Sequence, residues 1–158
     1  FAGVTGVQTC ALPIFNTCTA QAIEEIIALE HAEGVTGFLA SLVVENHAMT
    51  MERLQLLEYF DAFSTAELSR HIKPAPDIFL KAAELLGCSC AECLAIEDSR
   101  NGLIAADKAG MPCLIVPNKI TESSDFTGCY RKISSLKELK LKELIAGFNP
   151  HSKGETSC

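Results

Sequence analysis

Apolar residues recur along the chain at two periods, and the two alternate. Ile23, Ile26, Ile27 and Ala28 fall at helical spacing, with Glu24, Glu25 and Glu30 on other faces and Gly34 where such a helix stops. Residues 35–40 form a short apolar run that predicts a buried strand ending at Ser41. Met49, Leu54, Leu56 and Leu57 predict a second helix over 46–57, followed by a strand-like stretch over 59–63. Pro74 and Pro76 make 71–77 a loop, because proline lacks the N–H that a helix interior or a sheet ladder needs. The spacing over 78–86 predicts an amphipathic helix closed by Gly87. A second buried strand over 94–96 runs into Glu97-Asp98. A helix over 101–109 stopped by Gly110, and a strand over 113–116 halted by Pro117-Asn118, come next. Ser134 or Ser135 is placed to cap a last helix over 136–145, and the polar tail after Gly147 is expected to fray.

Helices alternating with short, continuously apolar strands predict an α/β fold. The expected architecture is a doubly wound, mostly parallel, Rossmann-like sheet with helices on both faces. The 158 residues, 48% of them hydrophobic, are enough for one ordinary domain. A net charge of −7 argues against a non-specific nucleic-acid binder, which needs a basic stripe to displace counterions. No apolar run approaches the roughly 18 residues that a membrane-spanning helix requires. Eight cysteines at irregular spacing, with no basic n-region before the apolar start, are expected to be reduced thiols in a cytoplasmic protein.

The first residues stand apart from this pattern. Val4 to Ile14 reads V-T-G-V-Q-T-C-A-L-P-I and resembles, residue for residue, the conceptual translation of a short-read sequencing adapter. Residues 1–14 are therefore expected to be non-biological and are excluded from the fold expectation, the alternative being an apolar N-terminal strand. The expected organisation is 1–14 adapter-derived, 15–147 a partial core domain, and 148–158 a polar tail.

In a parallel sheet, ligands bind beyond the carboxyl ends of the strands. Three polar features are expected there. Ser41, at a strand-to-helix turn, offers a hydroxyl and neighbouring amides to a phosphate oxygen, or serves only as a helix cap. Lys73, in the loop H-I-K-P-A-P-D, is a point charge with a defined reach, or a solvated loop lysine. Glu97 and Asp98, adjacent carboxylates at the end of an apolar strand, repel one another and suit Mg²⁺, or else cap the following helix.

Taken together, these features resemble the haloacid dehalogenase-like hydrolases, and in particular their β-phosphoglucomutase-like, sugar-phosphate phosphatase branch. L-A-S at 39–41, Y-F-D-A at 59–62, K-P-A-P-D-I-F at 73–79 and E-D-S-R-N-G at 97–102 are similar to that family's motifs in order and spacing. The resemblance implies that Ser41 and the amide of Leu42 hold a phosphoryl group, that Lys73 offsets its charge, and that Glu97 and Asp98 bind Mg²⁺. It also implies an aspartate nucleophile in a D-x-D motif on the first strand, and a helical cap domain. Neither is present: the aspartates are Asp61, Asp77, Asp98, Asp107 and Asp125, and no two stand two positions apart. The chain is thus expected to be N-terminally truncated and inactive, to lack the central strand of its sheet, and to expose an apolar edge.

The implied activity of the intact parent is Mg²⁺-dependent hydrolysis of a small phosphorylated metabolite, with phosphoglucomutase-type transfer as the alternative. A phosphate-responsive signalling module is the alternative of another class. There the lysine should follow the carboxylates, whereas Lys73 precedes them. Cys88, Cys90 and Cys93 lack the second ligand pair that a structural zinc site uses. His71 lies near Lys73 but has no assigned role. The expected partner is the metabolite alone, with no nucleic acid and no membrane, and the expected state is a monomer.

Overall fold

The computed structural model describes residues 12–16, 28, 41–44, 62–65, 70–140, 142–144 and 148. The elements predicted over 23–33, 35–40 and 46–57 lie outside these, apart from Ala28, which is helical.

Among the described residues, six parallel strands form one sheet in the order β3-β2-β1-β4-β5-β6. They are β1 (Leu12–Asn16), β2 (Ser41–Val44), β3 (Ala62–Thr65), β4 (Cys93–Glu97), β5 (Cys113–Ile115) and β6 (Arg131–Lys132). Helix α1 (Asp77–Leu86) precedes β4, and α2 (Arg100–Lys108) connects β4 to β5. The predicted doubly wound, parallel architecture is the one observed, and α1, β4, α2 and β5 fall within a residue of their predicted bounds.

Every residue of β4 and β5 is buried, as expected of strands covered on both faces of a parallel sheet. Cys93 and Ala95 face a cluster that includes Phe79, Ala82 and Ala83 of α1 and Leu103 and Ala106 of α2. Since side chains alternate along a strand, Glu97 follows Cys93 and Ala95 onto that helix-covered face. α1 buries Ile78, Phe79, Ala82 and Ala83 and ends at Gly87, whose φ of +68° permits the left-handed cap. Leu80 and Leu85, on its outer face, are exposed.

Several expectations are corrected. The sheet is not open at its centre: Leu12–Asn16 fills that place, pairing with β2 on one side and β4 on the other. Three residues of the segment set aside as adapter-derived thus belong to a strand. β1 carries no acid of the kind the resemblance implies for the first strand; an apolar run with suitable pairing satisfies the backbone hydrogen bonds there. Ser41, expected at the end of a strand over 35–40, is the first residue of β2, and 35–40 lie outside the described residues. Of the strand expected over 59–63, residues 59–61 lie outside the described residues, and β3 is described over Ala62–Thr65. The predicted last helix is interrupted: Leu136–Glu138 is one 3₁₀ turn capped by Ser135, residues 139 and 140 are neither helix nor strand, and helix resumes at 142–144. Cys88, Cys90, Cys93 and Cys113 are free thiols, but Cys129 is disulfide-bonded, contrary to the expectation for it. Among the described residues, no helix is long and apolar enough to cross a membrane.

Candidate phosphate and metal site

The carboxyl end of β4 gathers the charged groups. Lys73 Nζ lies 3.1 Å from Glu97 Oε1, and both side chains are withdrawn from solvent, with relative exposures of 9% and 0%. Lys73 reaches this place from the loop before α1, where Pro74 follows it through a cis peptide bond. Its ammonium stands 5.9 Å from the centre of the Phe79 ring, whose face adds a favourable electrostatic contact. The loop is tethered from outside by Lys108 Nζ, which donates to the Pro74 carbonyl at 3.1 Å.

Glu97 is clasped from its other side by the start of α2. Ser99 Oγ donates to Glu97 Oε2 at 3.2 Å and itself accepts the Gly102 amide at 3.1 Å, capping the helix. Gly102 is required by this arrangement. A Cβ built on it would come within 2.5 Å of Glu97 Oε1 and closer still to Oε2. Burial pushes the Glu97 carboxyl up to about 7, and the facing Lys73 ammonium limits that rise. A buried acid opposite a buried base holds that base in one place; it is not by itself strong evidence of stability.

Asp98 is one residue further along and only partly buried. Its Oδ2 accepts from Asn118 Nδ2 at 2.9 Å. The two carboxylates read as an equivalent pair in the sequence therefore have different surroundings. Mg²⁺ takes hard oxygen ligands and commonly one or two carboxylates, with water and phosphate oxygens completing its shell. Asp98 fits that chemistry, being a partly exposed carboxylate at a strand end. Glu97 does not, because Lys73 and Ser99 hold its two oxygens inside the fold. Among the described residues, no group of three or more histidine, cysteine or acidic side chains is arranged to hold a metal.

Ser41 and Leu42 are not brought to this end of the sheet. Ile14 pairs with both Ser41 and Ala95, so Ser41 is level with Ala95, two residues short of Glu97. That is roughly 7 Å back along the strands. Leu42 lies inside the ladder between Phe15 and Phe63. His71 turns away from the site: its side chain is 72% exposed, and its Nδ1 lies 2.9 Å from Asp77 Oδ1. That hydrogen bond holds the Asp77 carboxyl below its usual range. Of the cysteines near β4, burial pushes the Cys93 thiol up to about 12, which suits a packing role rather than a reactive one.

Sequence reasoning gave Asn118 no part in the site and named Gly102 only as the last residue of the E-D-S-R-N-G motif, without a role. Asn118 read only as the residue that halts a strand. Gly102 had a signal, a glycine in the first turn of a helix immediately after paired carboxylates, where helix propensity alone disfavours it.

Residues 17–116 match the haloacid dehalogenase-like hydrolase family. YhcW of Bacillus subtilis is 42% identical over 99 residues, covering 63% of this chain and 45% of that protein. Hexitol phosphatase B of Escherichia coli is 35% identical over 127 residues, covering 78% of this chain and 56% of that enzyme. The chain thus spans about half the length of these relatives. Among solved structures, CbbY from Rhodobacter sphaeroides in complex with xylulose-(1,5)bisphosphate superposes with a TM-score of 0.64 at 29% identity, over 75% of this chain and 54% of that one. A β-phosphoglucomutase from Clostridium difficile shares the fold, with a TM-score of 0.62 at 22% identity, over 81% of this chain and 55% of that one. With the parallel sheet, the lysine loop and the paired carboxylates in the family's order, and a family match over more than half its length, the chain belongs to the haloacid dehalogenase-like hydrolases.

Proposed function

We propose that the chain is the core portion of a Mg²⁺-dependent phosphatase acting on small phosphorylated metabolites, with sugar phosphates as the substrate class. The buried Lys73–Glu97 pair beside Asp98, at the carboxyl end of β4, carries this reading. Its counterparts among known proteins support the chemistry: hexitol phosphatase B is named for hydrolysis of a hexitol phosphate, and CbbY is seen with xylulose-(1,5)bisphosphate.

In this reading, Lys73 offsets negative charge on the phosphoryl oxygens and on the attacking carboxylate, and Glu97 keeps the ammonium pointed at them. Asp98 holds Mg²⁺, which supplies further positive charge to the phosphoryl group when bound. The Ser99 hydroxyl fixes Glu97 while capping α2. The nucleophile belongs to the D-x-D motif of the first strand, which residues 1–158 do not contain. The chain by itself is therefore inactive in this account.

The reading is tested by extending the chain with the upstream sequence of its gene. Phosphate release from hexitol and pentulose phosphates in the presence of Mg²⁺ is then measured. A D-x-D motif upstream and Mg²⁺-dependent release that Lys73→Ala abolishes are expected. An upstream sequence without that motif, or turnover retained in Lys73→Ala, overturns it.

A further inference from the structure

The turn that leaves β5 is built around the Asp98 carboxylate. Val116 N–H donates to the Glu97 carbonyl at 2.8 Å, which ties the exit of β5 to the last residue of β4. Two residues on, the Asn118 side chain acts in two directions. Its Oδ1 accepts from the amides of Ile120 at 2.8 Å and Thr121 at 3.2 Å, and its backbone N–H donates to Thr121 Oγ1 at 3.1 Å. Its Nδ2 donates to Asp98 Oδ2 at 2.9 Å.

The oxygen and nitrogen of an asparagine amide are normally interchangeable in shape, and the surrounding donors and acceptors decide which is which. Here both ends agree. Flipping the amide would aim its NH₂ at two backbone N–H groups and its oxygen at a carboxylate. The turn therefore commits the donor to Asp98.

We propose that Asn118 is a positioning residue for Asp98, holding the carboxylate in the orientation from which it meets a divalent cation. The inference rests on the reading of Asp98 as the cation-facing carboxylate. Ligating carboxylates are themselves oriented by hydrogen bonds from outer residues, and losing such a partner typically weakens metal binding about 10–100-fold. The turn is an economical source of that bond, since the same side chain closes the loop and aims the donor.

The test uses Mn²⁺, a paramagnetic cation with the same preference for oxygen ligands, titrated into the isotopically labelled full chain. Broadening of the Asp98 and Ser99 amide signals is the readout. Asn118→Ser keeps a side-chain oxygen for the Ile120 and Thr121 amides and removes the donor to Asp98. The expected result is an otherwise parent-like spectrum, with the Mn²⁺ concentration for half-broadening raised about tenfold or more. Asn118→Ala should weaken binding at least as much. A parent-like midpoint in Asn118→Ser overturns the positioning role, including the case in which Asn118→Ala weakens binding and serine restores it, since the turn alone would then account for the effect. Absence of broadening in the parent chain is a different failure: it removes the metal role of Asp98 on which the inference rests.

Discussion

Strands β1 and β4 lie side by side in the middle of the sheet and run in the same direction, yet only one of them ends in charge. β4 finishes in Glu97 and leads into Asp98, Ser99 and the capped start of α2, with Lys73 folded over it. β1 is Leu-Pro-Ile-Phe-Asn, an apolar strand with no acid. The contrast separates two demands on a central strand. To hold the sheet together it must pair on both sides and bury apolar side chains, which β1 and β4 both have the composition to do. In the proposed mechanism the two adjacent strand ends each contribute charge, and of β1 and β4 only β4 does.

Three substitutions probe the β4 side, in decreasing order of expected effect. Lys73→Met removes the counter-charge from a buried carboxylate and should destabilise the chain by about 3–5 kcal/mol at pH 8. The effect should depend on pH. With its carboxyl raised from 4.5 to about 7, Glu97 keeps a proton in the folded state that the unfolded chain has released, so this group's contribution to stability falls as pH rises through that window. Without Lys73 the carboxyl rises further. The variant's deficit should therefore be greatest above pH 7 and shrink toward pH 5, as read by urea unfolding; a deficit independent of pH would break the assignment of Glu97 as its partner. Gly102→Ala should cost about 3 kcal/mol, because the added methyl meets the Glu97 carboxylate and a crowded core does not relax freely. The same change in an open helix would gain about 1 kcal/mol, so thermal melting distinguishes the two cases by sign. Ser99→Ala removes the cap of α2 and one hold on Glu97, and should cost about 1 kcal/mol. No change in melting temperature would mean that the clasp does not depend on the hydroxyl.

The fold was legible where one physical signal dominated. Cys93, Leu94, Ala95 and Ile96 form an unbroken apolar run, and Gly87 and Gly110 mark helix ends that the structure places there. The last helix was misread because Leu136, Leu139 and Leu144 keep the apolar spacing across a break that local sequence does not announce. Leu12–Ile14, the end of the segment set aside, pairs within β1, because suspicion about the origin of a segment says nothing about whether it can pair. Within the site, Lys73, Glu97 and Asp98 were legible as residue types with motif spacing. That Glu97 faces the lysine and Asp98 faces the turn was not, because a strand sends successive side chains to opposite faces and only the packed helices decide which face is covered. Asn118 stands twenty residues from Asp98, and only the parallel pairing of β4 with β5 makes them neighbours.

The contrast between the two strand ends is tested most directly by supplying the missing one. Asn16 closes β1, one residue beyond the pairing of Phe15 with Ile96, which sets it level with Glu97. Asn16→Asp with Cys18→Asp writes a D-x-D motif into the sequence starting at that strand's last residue, and hydrolysis of p-nitrophenyl phosphate is then measured with and without Mg²⁺. No turnover is expected in the unaltered chain, and Mg²⁺-dependent turnover is expected in the double variant, disappearing when Lys73→Ala is added. Turnover in the unaltered chain, turnover that survives Lys73→Ala, or a double variant that folds and stays inactive would contradict that expectation.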